Sequence, residues 1–151
     1  MKISKALGFL IFLMAFLGIG AIGGGGVLIV SPDGELMGMP LSLLDQSPFS
    51  NFLIPGIVLF TSIGLAPILL IFALVNKPAS PFAEMLNCYK DMHWAWTYSI
   101  YIVFVLIIWI QLEMIFIQTV SWMHTFYIIF ALIMLFITLL PSVRRRYIKS
   151  T

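Results

Sequence analysis

The chain has 151 residues, 62% hydrophobic and only 9% charged, with a net charge of +2 and a single cysteine. Soluble domains carry about 25% charged residues, so this composition belongs to the membrane class and to a single domain over residues 1–151. It excludes a nucleic-acid footprint, and the lone Cys88 excludes an internal disulfide or a two-thiol relay.

Four apolar stretches, residues 6–30, 49–75, 94–118 and 122–143, meet the roughly 20 residues that a spanning helix needs. They are continuously apolar rather than alternating. Helices are therefore predicted over barrel strands, because only a helix gives each backbone N–H a partner within its own segment. The expected fold is all-α, an integral membrane four-helix bundle. Lys2 and Lys5 precede the first span, Lys77 and Lys90 lie between the second and third, and Arg144, Arg145, Arg146 and Lys149 follow the fourth. The positive-inside rule then predicts cytoplasmic N and C termini, with the links 31–48 and 119–121 outside, in a bacterial inner or plasma membrane.

The first span follows two lysines, as a signal peptide would. Its apolar run continues to Val30, beyond the usual signal core of about 7–15 residues, so a retained helix is expected. Gly18-Ile19-Gly20-Ala21-Ile22-Gly23 matches the letters of a dinucleotide fingerprint but lacks the preceding strand that the motif requires. Gly20 and Gly24 form G-x-x-x-G, which predicts close helix packing, and the run from Gly23 to Gly26 makes a kink the second reading. The outward link is long yet apolar, so residues 36–48 are expected to cap the outer end. Pro40 would open a short helix there, with Leu41, Leu43 and Leu44 against the bundle. Ser47-Pro48 reads as the start of the second helix, whose Pro55-Gly56 and Gly64 with Pro67 invite bends.

Ser80-Pro81 starts another helix, and Phe82, Met85, Leu86, Tyr89 and His93 recur at helical spacing. An interfacial helix over 81–93 at the inner face is therefore predicted. Trp94, Trp96, Tyr98 and Tyr101 fit an aromatic belt at that level, and Arg144, Arg145 and Arg146 fit anchoring at anionic headgroups.

Glu113 is the one acidic residue within the apolar stretches. An acidic side chain at a helix centre costs about 2.5–3.5 kcal/mol on insertion scales, so it persists where it is paired, near an interface or used. At 1.5 Å per residue it lies about 10 Å from the middle of the third span, toward the outer face. Gln111 and Gln118 share one face of that helix and Glu113 is turned away from both. His124 lies across the short outer link, where a solvated interfacial histidine is the first expectation and pairing with Glu113 the second. With the glycine run, Trp122 and Tyr127, these residues place the irregular chemistry in the outer half. The expectation is a small pocket there, covered by the apolar 36–44 segment. No metal set, catalytic nucleophile with its base or phosphate loop is recognisable, and no cofactor is implied.

Met37-Gly38-Met39-Pro40-Leu41-Ser42-Leu43-Leu44, the run Ser47 to Gly56 and the later Ser121-Trp122 resemble uncharacterised small bacterial four-helix integral membrane proteins. That resemblance implies the topology and no activity. In size and in its single membrane carboxylate the chain is also similar to the small multidrug exporters. Their carboxylate lies in the first helix, however, and the one-sided basic residues here argue against dual insertion. The leading expectation is a non-enzymatic protein that holds a lipophilic ligand or partner helix near the outer leaflet. The alternatives are an oligomeric transporter using Glu113 as a proton-coupled carboxylate, and an intramembrane isomerase or hydrolase using Glu113 and His124.

Overall fold

The computed structural model describes residues 4–149, so Lys2 lies outside the described residues. Helices α1 (Lys5–Val30), α2 (Leu53–Asn76), α4 (Trp94–Ile117) and α5 (Trp122–Leu139) are long and apolar enough to cross a membrane. Two short helices, α3 (Pro81–Met85) and α6 (Pro141–Arg144), follow α2 and α5. Among the described residues no strand forms beyond a single antiparallel bridge between Met92 and Ile148.

The helices begin where a side chain can satisfy an orphan N–H. Ser4 Oγ accepts from Leu7 N at 3.2 Å, Ser80 Oγ from Ala83 N at 3.3 Å, and His93 Nδ1 from Ala95 N at 3.2 Å. At the other ends, aromatic donors satisfy last-turn carbonyls. Trp96 Nε1 donates to Thr138 O at 2.9 Å, and the Tyr147 hydroxyl donates to Leu74 O at 2.7 Å. Trp96 is thus a core residue, 3% exposed, and not a member of an interfacial belt.

α1 and α2 pack antiparallel through backbone. A Cβ at Gly25 would stand 2.7 Å from Phe60 N and 2.8 Å from Gly56 O, and one at Gly18 would stand 2.9 Å from Gly64 O. The close approach therefore uses Gly18 and Gly25 instead of Gly20 and Gly24. Nothing lies within 4 Å of a Cβ at Gly20, and only Leu59 Cδ2, at 3.8 Å, approaches one at Gly24. α1 runs unbroken through the glycines. The irregularity falls in α2, where Leu59–Leu65 widen into π-helical turns. Pro67 supplies no N–H to the ladder there, while Thr61 and Ser62 hydroxyls bond back to Ile57 O and Val58 O at 2.8 and 2.6 Å.

Several boundaries differ from the sequence expectation. The second helix starts at Leu53, because Phe52 is buried with Leu28 and Leu44 and its N–H donates to Pro32 O at 2.8 Å. Asn51 Oδ1, and not Ser47, accepts from Leu53 N. The segment expected to cap over 36–48 holds one 3-10 turn, Leu41–Leu44, and the end of another, Glu35–Met37; of its leucines Leu44 is buried while Leu41 stays exposed. Gly34, at φ 82°, permits the reversal before it, where a Cβ would stand 2.2 Å from Met39 O. The fourth long helix ends at Leu139, since Pro141 forces Leu140 into extended backbone at ψ 137°.

The helix expected over 81–93 stops at Met85. Asn87, 1% exposed, folds inward there: its Nδ2 donates to Met92 O at 2.8 Å and to Glu84 Oε2 at 3.0 Å, and its Oδ1 accepts from the Thr97 hydroxyl and from Tyr89 N. The chain end then closes over this turn, with His93 N donating to Tyr147 O and Lys149 N to Asp91 O.

The main core, including Leu7, Leu10, Met14, Leu74, Val103, Leu106 and Met134, fills the space between the four long helices. Their outer faces are apolar as well: Phe12, Ile19, Leu69, Phe72, Ile108 and Phe136 are all exposed. An apolar surface on every long helix is what a membrane-spanning helix would present to hydrocarbon.

Candidate functional site

A cavity of about 520 Å³ opens among the four long helices at the end away from Ser4 and Lys149. α1 contributes Leu17, Gly20 and Gly24, the π-helical part of α2 contributes Leu59 and Ile63, and Met37 and Met39 of the 35–44 segment close one end. Gly20 and Gly24, expected to pack helices together, here leave room beside them.

α4 supplies Leu106, Trp109, Ile110 and Glu113 to the wall, and α5 supplies His124 and Tyr127. Glu113 retains 31% side-chain exposure, with its carboxylate bonded on one side and faced by an imidazole on the other. One turn earlier on α4, Trp109 Nε1 donates to Glu113 Oε1 at 2.8 Å. Across the short link, His124 Nε2 stands 4.0 Å from Glu113 Oε2. His124 is 8% exposed and sits in the first turn of α5, where its Nδ1 accepts the Ser121 N–H at 3.0 Å. That bond leaves the ring proton of the neutral imidazole on Nε2, facing Glu113. His124 is thus a buried, positioned group and not the solvated interfacial one expected first.

The other candidates lie elsewhere. Gln111 and Trp122 are exposed, the latter at 76%, and Gln118 ends α4 at φ 54°, its Nε2 donating to Ile115 O at 2.7 Å. Trp109 was missed although it stands four residues from Glu113, the spacing that places two side chains on one helix face. Arg144 and Arg145 are exposed beyond α5.

A second hollow of about 450 Å³, lined by Lys77, Ser80, Glu84, His93 and Lys149, is open, and its lysines and carboxylate already have partners. Lys149 Nζ reaches Glu84 Oε2 at 2.8 Å, and Lys77 Nζ donates to Arg146 O beneath the Tyr147 ring. No group of three metal-ligating side chains occurs among the described residues.

The geometry therefore defines a half-open apolar cavity with one carboxylate and one imidazole on its wall. No protein-family model, curated protein or solved structure matches the chain.

Proposed function

We propose that the chain is a multi-pass membrane protein with both termini cytoplasmic, and that it holds a lipophilic ligand, or the helix of a partner, in the cavity near the outer leaflet. The orientation is supported by Lys77, Lys90 and Lys149 clustering at one end and by exposed Arg144 and Arg145 there, suited to anionic headgroups. The ligand reading is carried by one observation: an apolar cavity of about 520 Å³ that converges on the Glu113–His124 pair. Small-molecule sites run from about 300 to 1,000 Å³, mostly apolar with a few placed polar groups.

Native mass spectrometry of gently solubilised protein tests it. The wild type should carry a lipophilic adduct that Gly20→Phe removes by filling open space, with Glu113→Gln weakening retention. Identical adducts in all three proteins would sink the reading. The same pair supports a second reading, a small oligomeric transporter with Glu113 as a proton-coupled carboxylate. Proton-coupled flux in liposomes that vanishes in Glu113→Gln would favour it.

A further inference from the structure

We infer that the occupant is a hydrocarbon chain of a bilayer lipid, entering sideways between α1 and α5, whose head presents a hydroxyl or ammonium group and no anionic group. This rests on the ligand-holding reading above and names the ligand's source and chemistry.

The route follows from where the wall is missing. α1 and α5 meet at Phe16 and Phe130, whose ring centroids are 5.8 Å apart. One turn further along α1, Gly20 both lines the cavity and is exposed at the surface, and across from it Met123 does the same. The cavity therefore opens to the outside between them. Phe16, Ile19 and Phe126 flank this opening and are 50%, 66% and 43% exposed, so the doorway lies within the apolar surface of the long helices. What such a doorway meets is lipid, and a lipid chain enters without crossing water.

The head group follows from what Glu113 lacks. Trp109 N–H donates to Glu113 Oε1 at 2.8 Å, while the nearest donor to Oε2, His124 Nε2, stands at 4.0 Å, beyond hydrogen-bond reach, so Oε2 has room for a further partner. No lysine or arginine lines the cavity. His124, the one basic side chain on the wall, already accepts the Ser121 N–H at Nδ1. The carboxylate is thus an acceptor with spare capacity in apolar surroundings, and a head that donates hydrogen bonds complements it. A phosphate head would be buried there with no lysine or arginine to pair with it.

The test places the full chain in nanodiscs of unbrominated lipid and adds lipids with mid-chain bromines, which quench indole fluorescence on contact. The difference between wild type and Trp109→Phe isolates Trp109 from the other tryptophans. Two additives with the same brominated chains, diacylglycerol and phosphatidic acid, supply the hydroxyl and anionic heads. Diacylglycerol should quench Trp109 at concentrations about tenfold lower than phosphatidic acid, the discrimination of one hydrogen bond. Gly20→Phe should abolish quenching by both, and Glu113→Gln should erase the preference between them. Equal quenching by the two lipids in wild type overturns the head assignment. Quenching that survives Gly20→Phe overturns the lateral route. An adduct seen by native mass spectrometry without quenching overturns the bilayer source and leaves the ligand-holding reading standing. Absence of both adduct and quenching removes the two together.

Discussion

Replacing Gly25 and Gly20 separately by alanine separates packing from helix propensity on one helix. Both substitutions exchange the same residue types inside α1, and alanine favours a helix over glycine by about 0.8–1 kcal/mol. Gly20→Ala adds its methyl to open space, with nothing within 4 Å, so the propensity gain should appear nearly whole. Gly25→Ala sets its methyl 2.7 Å from Phe60 N and 2.8 Å from Gly56 O, about 0.7 Å short of the ordinary contact range that starts at 3.4 Å. Both obstacles are backbone, so the helices themselves must move apart, and overpacking of this kind costs about 1–3 kcal/mol. The expected gap between the two variants is therefore about 1–3 kcal/mol, with Gly20→Ala the more stable. At roughly 2–4 °C per kcal/mol for a chain of this size, thermal unfolding in detergent followed by tryptophan fluorescence resolves the difference. Equal shifts in the two proteins, or a larger loss at Gly20, would refute the assignment of Gly25 and Gly56 as the packing pair.

Three further outcomes follow, mainly from the end that holds Ser4 and Lys149. Asn87→Ala strips partners from Met92 O, Tyr89 N and the Thr97 hydroxyl, and should lower stability by about 2–4 kcal/mol in the same assay; a loss below about 0.5 kcal/mol would contradict the buried network. Trp96→Phe keeps the ring but leaves Thr138 O without its donor, and should cost about 1–2 kcal/mol, whereas Trp122→Phe at an exposed position should be close to neutral. Burial holds the His93 imidazole below its ordinary 6.5, against the opposing pull of Glu84. The folded state thus prefers neutral His93, and its contribution is full above about pH 6.5 and lost as the pH falls through the folded value. From about pH 7.5 to about pH 5.5 the wild type should lose more thermal stability than His93→Asn, which retains a capping side chain and does not titrate; parallel curves would refute this.

The long helices were legible because their signal is redundant, some twenty apolar residues each. The connections were not, because each was decided by a single tertiary bond. The amphipathic spacing of Phe82, Met85 and Leu86 predicts a helix through His93, but Asn87 reaches buried Met92 O and Thr97 only by leaving the helical path. Trp96 carries the composition signal of an interfacial residue, yet a last-turn carbonyl of α5 draws its N–H into the core. Pro141 was visible in the sequence and should have ended the fourth span. Glu113 and His124 were readable as neighbours from the shortness of the link between them. The role of Ser121 in fixing the histidine's tautomer depends on a cap geometry that spacing alone does not specify.

The glycines carry a finer lesson about periodicity. At 100° per residue, Gly18 and Gly25 lie about 20° apart around α1, Gly20 and Gly24 about 40° apart, and the two pairs about 130° from one another. One helix therefore presents two glycine faces. The first lets the backbone of α2 approach at Gly56 and Gly64, and the second faces the cavity. The G-x-x-x-G spacing picks out the second pair, because a motif records which glycines share a face and not what that face meets. Had Gly20 and Gly24 taken the packing role, the backbone would stand where the cavity now leads to Glu113, and that carboxylate would have lost its space along with its exposure. Glycines on both faces let α1 pack tightly on one side while leaving the other open beside the only acidic residue of the four long helices.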